Sequence, residues 1–205
     1  MVDIVIVSDP LCSWCWGMSA AIDAARRVLE PRVRFDLLLG GINIAASAPL
    51  GDAARARLAR LWREVEVVTG QPFAAAPSAA PFVYNSTSLC ATLEAARGID
   101  GAPPFALLAR LQRAFFAAGE DVTSDAVLSR VLTELGHEPN EIARRAASSE
   151  IRERTAAQFI AAHSYGTNAM PSVLVDDGKR RLLAGGYLDA PTLIATVEAA
   201  LRARA

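Results

Sequence analysis

The sequence predicts an α/β fold in which a mixed four-stranded sheet carries a large, all-helical insertion. The order of the patterns supports this: residues 3–39 show a strand, a helix and a strand, residues 52–164 show only helical patterns, and residues 172–201 show two strands and a helix. A βαβ unit has parallel strands, and neither flank of the insertion would complete a sheet alone. The predicted domains are residues 1–44 with 165–205, and an inserted helical domain at residues 45–164.

The first flank begins with a short, almost entirely β-branched segment at residues 3–7, which predicts a buried strand. Residues 16–30 have apolar residues at helical spacing, and Pro31 is expected to end this helix. Residues 33–39 predict the second strand, which ends at a pair of glycines. The predicted buried face of the helix consists of Ile22, Ala25, Val28 and Leu29.

The insertion starts with an amphipathic helix at residues 52–68, followed by a proline-containing loop at residues 70–84. Its predicted buried face consists of Leu58, Leu61, Val65 and Val68. Polar residues at 85–88 can cap the next helix, because their side chains accept hydrogen bonds from free backbone N–H groups. Further helices are predicted at residues 87–97, 103–118, 124–135 and 139–164, the last one interrupted near Ser148.

The second flank returns to strand patterns. Residues 172–175 predict a strand, residues 176–178 a hairpin turn, and residues 181–184 a strand that pairs back. Pro191 is placed at the start of a closing helix, where its missing N–H is tolerated.

Composition excludes several classes of protein. The 205 residues are 52% hydrophobic and 21% charged with a net charge of −1, which favours a folded core and argues against a nucleic-acid-binding protein. We find no signal segment and no apolar run near the roughly 18 residues of a membrane span, so we expect a cytoplasmic protein. Three cysteines do not make a disulfide framework.

Two of those cysteines form the most informative motif, Cys12-Ser13-Trp14-Cys15, at the junction of the first strand and helix. This spacing suits reversible dithiol–disulfide chemistry. Cys12 is the predicted attacking thiolate, because free N–H groups at a helix N-terminus favour negative charge. Cys15 is the predicted resolving thiol. The alternative is a pair of reduced, inert cysteines on a helix face.

Residues around the motif have weaker assignments. Trp14 is predicted to shape the substrate-facing rim, and Trp16 to pack in the core. Asp9 is a candidate for assisting proton transfer, although an aspartate before a proline is equally typical of a turn. Ser13, in the spacer, is counted with Asp9 as a supporting residue, and Cys90 is predicted to be a buried small side chain.

No metal site is expected. A closed zinc site needs about four ligands, whereas one CxxC supplies two and the sequence contains no second CxxC or HxxxH. The sequence also contains no GxxxxGK[ST] or GxGxxG motif, so no nucleotide site is expected.

The chain resembles the DsbA-like branch of the thioredoxin-like superfamily, and within it the FrnE-like cytoplasmic oxidoreductases. The matching segments are residues 8–17 with the CxxC motif, residues 170–172 (Met-Pro-Ser) and residues 185–187 (Gly-Gly-Tyr), separated by a long helical insertion. The resemblance covers nearly the whole chain and implies a thioredoxin-like fold and a thiol–disulfide oxidoreductase.

The resemblance also implies roles for two residues before the third strand. It implies that Pro171 is preceded by a cis peptide bond and lies opposite the CxxC motif, where the backbone of Met170 could pair with an extended substrate. Three departures are visible. Ala169 replaces the usual glycine, the Ser-Trp spacer lacks the histidine that stabilises the thiolate in strongly oxidising members, and Cys90 has no partner for a second sulfur pair.

Three functions remain open from the sequence. The leading hypothesis is a thiol–disulfide oxidoreductase acting on protein or small-molecule substrates, with no bound cofactor and with glutathione as a candidate redox partner. The second is a glutathione-dependent isomerase or transferase of the 2-hydroxychromene-2-carboxylate isomerase or kappa-class type, although those families usually have serine at the position of Cys12. The third is a chaperone-like binding module. Related families often form homodimers.

Overall fold

The computed structural model describes residues 3–30, 32–74 and 82–203, and its centre is a four-stranded mixed sheet in the order β2-β1-β3-β4. The central strand β1 pairs in parallel with β2, aligning Ile6 with Leu37, and antiparallel with β3, aligning Ile6 with Val173. The predicted fold class is confirmed. The strands are β1 (Asp3–Ser8), β2 (Arg34–Leu39), β3 (Ser172–Asp176) and β4 (Arg181–Gly185).

The helices follow the predicted order, with seven of the eight described helices before β3 and one after β4. They are α1 (Ser13–Leu29), α2 (Asp52–Thr69), α3 (Thr87–Asp100), α4 (Phe105–Gln112), α5 (Asp125–Glu134), α6 (Pro139–Ala146), α7 (Ser149–Ala162) and α8 (Ala190–Arg202). A π-helical turn at Arg113–Ala117 extends α4. The interruption near Ser148 separates α6 from α7, as predicted, and Ser148 caps α7 by accepting the Ile151 N–H.

Both faces of the sheet are covered, because alternate residues of a strand point to opposite faces. On one face, Ile4 and Ile6 belong to the main core with α1 and α8. On the other face, Val5 and Val7 form a smaller cluster with Ala162 at the end of α7. Helices of the insertion therefore reach the sheet directly and lie close to the end of β1.

The predicted start of α1 is corrected by three residues. The helix begins at Ser13, not at residue 16, and Cys12 is its N-cap residue. Consequently the whole CxxC motif occupies the N-cap and first turn, where backbone N–H groups lack partners within the helix.

The prediction that Val28 and Val68 belong to the core is wrong. Val28 and Val68 are each 53% exposed. Consecutive helix positions are rotated by about 100°, so Val28 falls off the buried stripe that Ala25 and Leu29 occupy. On α2 the buried residues are Trp62 and Val65, since Trp62 packs its indole against aromatic rings of the insertion.

Pro31, predicted to end α1, lies outside the described residues, as do residues 75–81 of the predicted loop at 70–84. Within the ranges that the structure covers, no helix is long and apolar enough to cross a membrane.

Candidate active site

Cys12 lies at the junction between the loop after β1 and the first turn of α1. Its Sγ atom accepts a hydrogen bond from the backbone N–H of Cys15 at 3.3 Å, the bond that an N-cap side chain makes. The side chain is buried but retains 7% exposure. This position gives the Cys12 sulfur a backbone N–H donor and places it at the positive end of the helix dipole.

Cys15 lies behind Cys12 in the first turn of α1 and is 1% exposed. Burial raises the pKa of the Cys15 thiol well above its ordinary value, and the hydrogen bond and charge of Cys12 raise it further. The Cys15 thiol is therefore kept protonated and away from solvent, whereas Cys12 retains more exposure. Both are present as free thiols.

The loop before β3 lies against Cys12. The Met170–Pro171 peptide bond is cis, and the Cys12 thiol points its Sγ at the Met170 carbonyl oxygen at 3.7 Å. The Pro171 carbonyl accepts the Gly186 N–H at 2.8 Å, which ties this loop to the end of β4. Residues 158 positions apart in the chain thus meet at one sulfur atom.

Gly40 makes room for the Met170 side chain. A Cβ atom at position 40 would lie 1.9 Å from the Met170 Sδ atom, well inside van der Waals contact. Sequence reasoning treated Gly40 only as the end of the second strand and missed this contact.

Of the residues next to the two cysteines, Trp14 is partly exposed, whereas Ser13 and Trp16 are buried. The Trp14 ring is partly exposed and lies 6.2 Å from the Tyr187 ring. Trp16 is buried and donates its indole N–H to the Pro72 carbonyl oxygen at 3.1 Å. Ser13 is also buried, at the first position of α1.

Asp9 is completely buried, and both of its carboxylate oxygens accept hydrogen bonds. One oxygen accepts the Leu11 N–H at 2.8 Å, and the other accepts bonds from the Gly41 N–H, the Ile42 N–H and the Ser86 hydroxyl at 2.9, 3.0 and 2.6 Å. Burial raises the pKa of Asp9, while these hydrogen bonds oppose the rise. The carboxylate therefore joins three segments around the CxxC loop.

Residues of the insertion hold the loop between β1 and α1 through its carbonyl groups. The Tyr84 hydroxyl donates to the Leu11 carbonyl, and the Gln112 side-chain amide donates to the Asp9 carbonyl at 3.0 Å. Tyr84 is buried, and this burial raises the pKa of its hydroxyl well above the ordinary value. The sequence signal for Gln112 is a polar residue at the end of the leucine-rich helix α4.

Two further side chains, Cys90 and His163, contact segments next to the CxxC loop. Cys90 is buried on α3, and its Sγ lies 3.6 Å from an Asp9 oxygen. His163 lies at the end of α7, and its Nε2 atom is 3.1 Å from the Gly40 carbonyl oxygen. No group of three or more His, Cys, Asp or Glu side chains in the described ranges is arranged to hold a metal ion.

Comparison with known proteins identifies the family. Residues 3–193 match the model of the DSBA-like thioredoxin domain. The chain belongs to this family. The match spans β1 through the start of α8, so a DSBA-like thioredoxin domain accounts for the sheet, the CxxC junction and the helical insertion together. A search of curated proteins gave no match.

Solved structures share this DSBA-like architecture. A candidate protein disulfide isomerase from Nitrosomonas europaea is 28% identical, with a TM-score of 0.89 and coverage of 100% of this chain and 99% of that chain. The cytosolic disulfide reductase DsbM from Pseudomonas aeruginosa is 24% identical, with a TM-score of 0.77 and coverage of 98% and 99%. A 2-hydroxychromene-2-carboxylate isomerase is 15% identical, with a TM-score of 0.68 and coverage of 98% and 95%.

Proposed function

We propose that the protein is a thiol–disulfide oxidoreductase that uses Cys12 and Cys15 through a mixed disulfide. The observation that supports the proposal is the arrangement of the pair. Cys12 is the N-cap residue of α1 and its Sγ accepts the Cys15 backbone N–H, while the Cys15 side chain is buried in the first turn of the helix. Membership of the DSBA-like family supports the same chemistry.

In the reducing direction, the Cys12 thiolate attacks a substrate disulfide. A bond forms between Cys12 Sγ and one substrate sulfur, and the second substrate sulfur leaves as a thiolate and takes up a proton. Cys15 then loses its proton and attacks Cys12 Sγ, which releases the first substrate sulfur as a thiol. Two electrons pass from the Cys12–Cys15 dithiol to the substrate, and the reverse sequence oxidises a dithiol substrate.

The substrate is a protein or a small molecule that presents its sulfur beside Met170. The Met170 carbonyl is next to Cys12, so the backbone of an extended segment could pair with this loop as an added strand. Partly exposed Trp14 and Tyr187 supply an apolar, aromatic border for such a segment. Glutathione enters the proposal as a redox partner, because a structure of the similar DsbM was determined with glutathione.

The test is to trap the mixed disulfide. A Cys15→Ser variant keeps the attacking sulfur and lacks the resolving one, so it should hold one equivalent of glutathione or a peptide thiol on Cys12 after incubation with the corresponding disulfide. Cys12→Ser is the matched control and should hold none. Mass spectrometry of the intact proteins measures both. Absence of an adduct on Cys15→Ser, or equal adducts on both variants, would refute the proposal.

The direction of the reaction is a separate question, which the reduction potential of the Cys12–Cys15 pair decides. A value near about −270 mV would assign a reductase role, and a value near about −120 mV an oxidase role. The spacer lacks the histidine associated with strongly oxidising relatives, so we propose the reducing role. Equilibration in glutathione buffers with thiol alkylation gives the value.

A second candidate is a glutathione-dependent isomerase, suggested by the shared fold with the 2-hydroxychromene-2-carboxylate isomerase. Full turnover of such a substrate by Cys15→Ser would favour it, since that chemistry does not need a resolving thiol. The presence of Cys12, where those isomerases usually have serine, favours the oxidoreductase.

The proposal includes a cytoplasmic location and a homodimer as expectations. DsbM, described as cytosolic, shares the fold over 98% of this chain. Cell fractionation and light scattering of the purified protein test the two expectations.

A further inference from the structure

His163 carries a side chain that extends beyond its own helix and meets the end of a strand. The residue follows α7 and is exposed, but its imidazole Nε2 lies 3.1 Å from the Gly40 carbonyl oxygen. A carbonyl oxygen can only accept a hydrogen bond, so this nitrogen carries a proton and donates it. The neutral ring protonated on Nε2 and the charged ring both meet this requirement, so the bond does not depend on titration of the ring.

Gly40 is the residue at which three segments meet. Its N–H donates to the Ser8 carbonyl at 3.0 Å, which joins it to the strand that leads into the CxxC loop. The Met170 side chain fills the space beside its Cα, since a Cβ atom there would lie 1.9 Å from the Met170 Sδ atom. With the imidazole of His163 on its carbonyl, Gly40 contacts both the beginning and the end of the loop between α7 and β3.

The contact of His163 belongs to a larger interface, because α7 holds the end of β2 at consecutive residues. The Gln158 side-chain oxygen accepts the Leu39 N–H at 3.0 Å. The Phe159 ring fills the space beside Gly41, 2.8 Å from the place of a Cβ atom. His163 lies one turn after Phe159 and adds the bond to the residue between these two. The middle one of three residues held by α7 is therefore the glycine that contacts the methionine.

We propose that His163 is a positioning residue of the thiol–disulfide reaction: it fixes Gly40, against which the Met170 side chain packs. The inference rests on the proposed function. The Met170 carbonyl oxygen lies 3.7 Å from Cys12 Sγ, and this is the backbone with which an extended substrate is proposed to pair. His163 therefore acts through two intermediate residues and takes no part in the chemical step.

The position of this loop affects the binding of a peptide more than the reactivity of the sulfur. A peptide backbone that pairs with the loop depends on where the loop's backbone groups lie, and small displacements of positioning groups slow such reactions strongly. A small disulfide without a peptide backbone needs only access to Cys12. Loss of the His163 hydrogen bond should therefore weaken binding of a peptide disulfide and leave the reaction with a small disulfide nearly unchanged.

The experiment measures single-turnover rates of the reduced protein with an extended peptide disulfide and with dithiobis(nitrobenzoate), which has no peptide backbone. His163→Met removes the donor and should raise the half-saturating concentration of the peptide disulfide about fivefold, the effect of one hydrogen bond. The maximal rate with the peptide and the rate with dithiobis(nitrobenzoate) should stay within about twofold of the wild type. His163→Gln keeps an N–H donor of similar reach and should restore most of the binding.

Two further variants separate positioning from a general structural role. His137→Met is the matched control, because the chain's other histidine lies 3.6 Å from Asp100, and it should leave both reactions unchanged. Since His163 acts through Met170, His163→Met should have little further effect in the Met170→Ala protein. The melting temperature of His163→Met should stay close to that of the wild type, because His163 is exposed and water can replace its N–H.

Several results would overturn the role of His163. These are an unchanged peptide reaction in His163→Met, an equal loss in His163→Gln, additive effects with Met170→Ala, or a slowing of both disulfides together with a lower melting temperature. A wild-type protein that reduces neither disulfide with formation of a Cys12–Cys15 bond would overturn the proposed function as well.

Discussion

The Ser86 hydroxyl donates a hydrogen bond of 2.6 Å to the Asp9 carboxylate, across 77 positions of the chain. Ser86 occupies the N-cap position of α3 but makes no side-chain capping bond there. Its hydroxyl is instead used to hold a carboxylate that also accepts the N–H groups of Gly41 and Ile42. The contact joins the loop before the CxxC motif, the segment after β2 and the insertion at one buried point.

Asp9 is therefore expected to stabilise the fold strongly. Asp9→Ala leaves several buried donors without an acceptor and should lower the free energy of unfolding by about 3 kcal/mol. Asp9→Asn keeps one acceptor oxygen and should cost less. Urea unfolding of the three proteins measures both effects. Asp36→Ala is a control, since that carboxylate is about 40% exposed and should matter much less.

The pH dependence of this effect has a definite sign. Burial raises the pKa of Asp9 in the folded protein above its ordinary value, so the protonated form is favoured by folding. The stability from this group is present at low pH and is lost as pH rises through the folded pKa. The free energy of unfolding of the wild type, measured relative to Asp9→Asn, should fall from about pH 4 toward neutral. Parallel pH curves for the two proteins would contradict the assignment.

The resolution step should accelerate with pH throughout the neutral range. Burial is the largest cause that raises the pKa of Cys15, and it persists after Cys12 has entered a mixed disulfide. Below that pKa the fraction of thiolate grows about tenfold per pH unit, and the thiolate is the attacking species. Reduced protein that reacts with dithiobis(nitrobenzoate) should release one coloured thiolate when Cys12 attacks and a second when Cys15 resolves. The rate of the second release, followed by stopped flow between about pH 6 and 8.5, should give a slope near one on a logarithmic scale. A plateau inside this range would mean that Cys15 ionises readily.

Gly40→Ala should affect the reaction with substrates, through the position of the Met170 side chain, more than the stability of the fold. The added Cβ would overlap the Met170 Sδ atom, but a methionine side chain is flexible and can move. We expect a loss of stability within about 1 kcal/mol and a several-fold slower reaction with peptide disulfides. Combining it with Met170→Ala should remove the clash, giving non-additive effects in a double-mutant cycle.

Gly98→Ala is the control for this substitution, because nothing lies within 4 Å of its new Cβ atom and the residue is inside α3. It should stabilise the protein by roughly 0.5–1 kcal/mol and leave the thiol reaction unchanged. Additive effects of Gly40→Ala and Met170→Ala would show that the two residues do not meet.

Tyr84→Phe tests the hydrogen bond between the insertion and the CxxC loop. It keeps the buried ring but leaves the Leu11 carbonyl without the Tyr84 hydroxyl as donor, which should cost about 1–3 kcal/mol. The rate of Cys12 alkylation should also rise, because the loop that precedes Cys12 is less restrained and exposes the sulfur more often. Tyr187→Phe removes a hydroxyl from a partly exposed ring and should change stability by less than about 0.5 kcal/mol. Equal effects of the two substitutions would argue against a special role of Tyr84.

Local patterns carried enough information to predict the sheet and the position of the dithiol. The β-branched run of β1, the helical spacing of α1 and the hairpin turn before β4 are properties of neighbouring residues, so one sequence displays them. The Cys12–Cys15 pair is equally local. The periodicity does not show where a buried stripe ends, which is why Val28 was placed in the core although it is exposed.

The contacts that position the dithiol could not be predicted in this way. Tyr84 and Leu11 are 73 positions apart, and Gln112 and Asp9 are 103 apart. Nothing in the spacing of polar residues specifies which carbonyl a distant donor meets. Ser86 shows the same limit: its type and position favoured a helix cap, but a buried carboxylate from another segment is the stronger acceptor.

The short loop between β1 and α1 depends on donors and acceptors that belong to a different part of the chain. Its carbonyl groups at Asp9 and Leu11 meet Gln112 and Tyr84, and the indole of Trp16 meets the carbonyl of Pro72. The CxxC motif consequently cannot be transferred to another protein with its geometry intact. Grafting the CxxC turn onto a bare sheet, or shortening the helices to make a minimal enzyme, would transfer the two sulfur atoms without the framework that aims them.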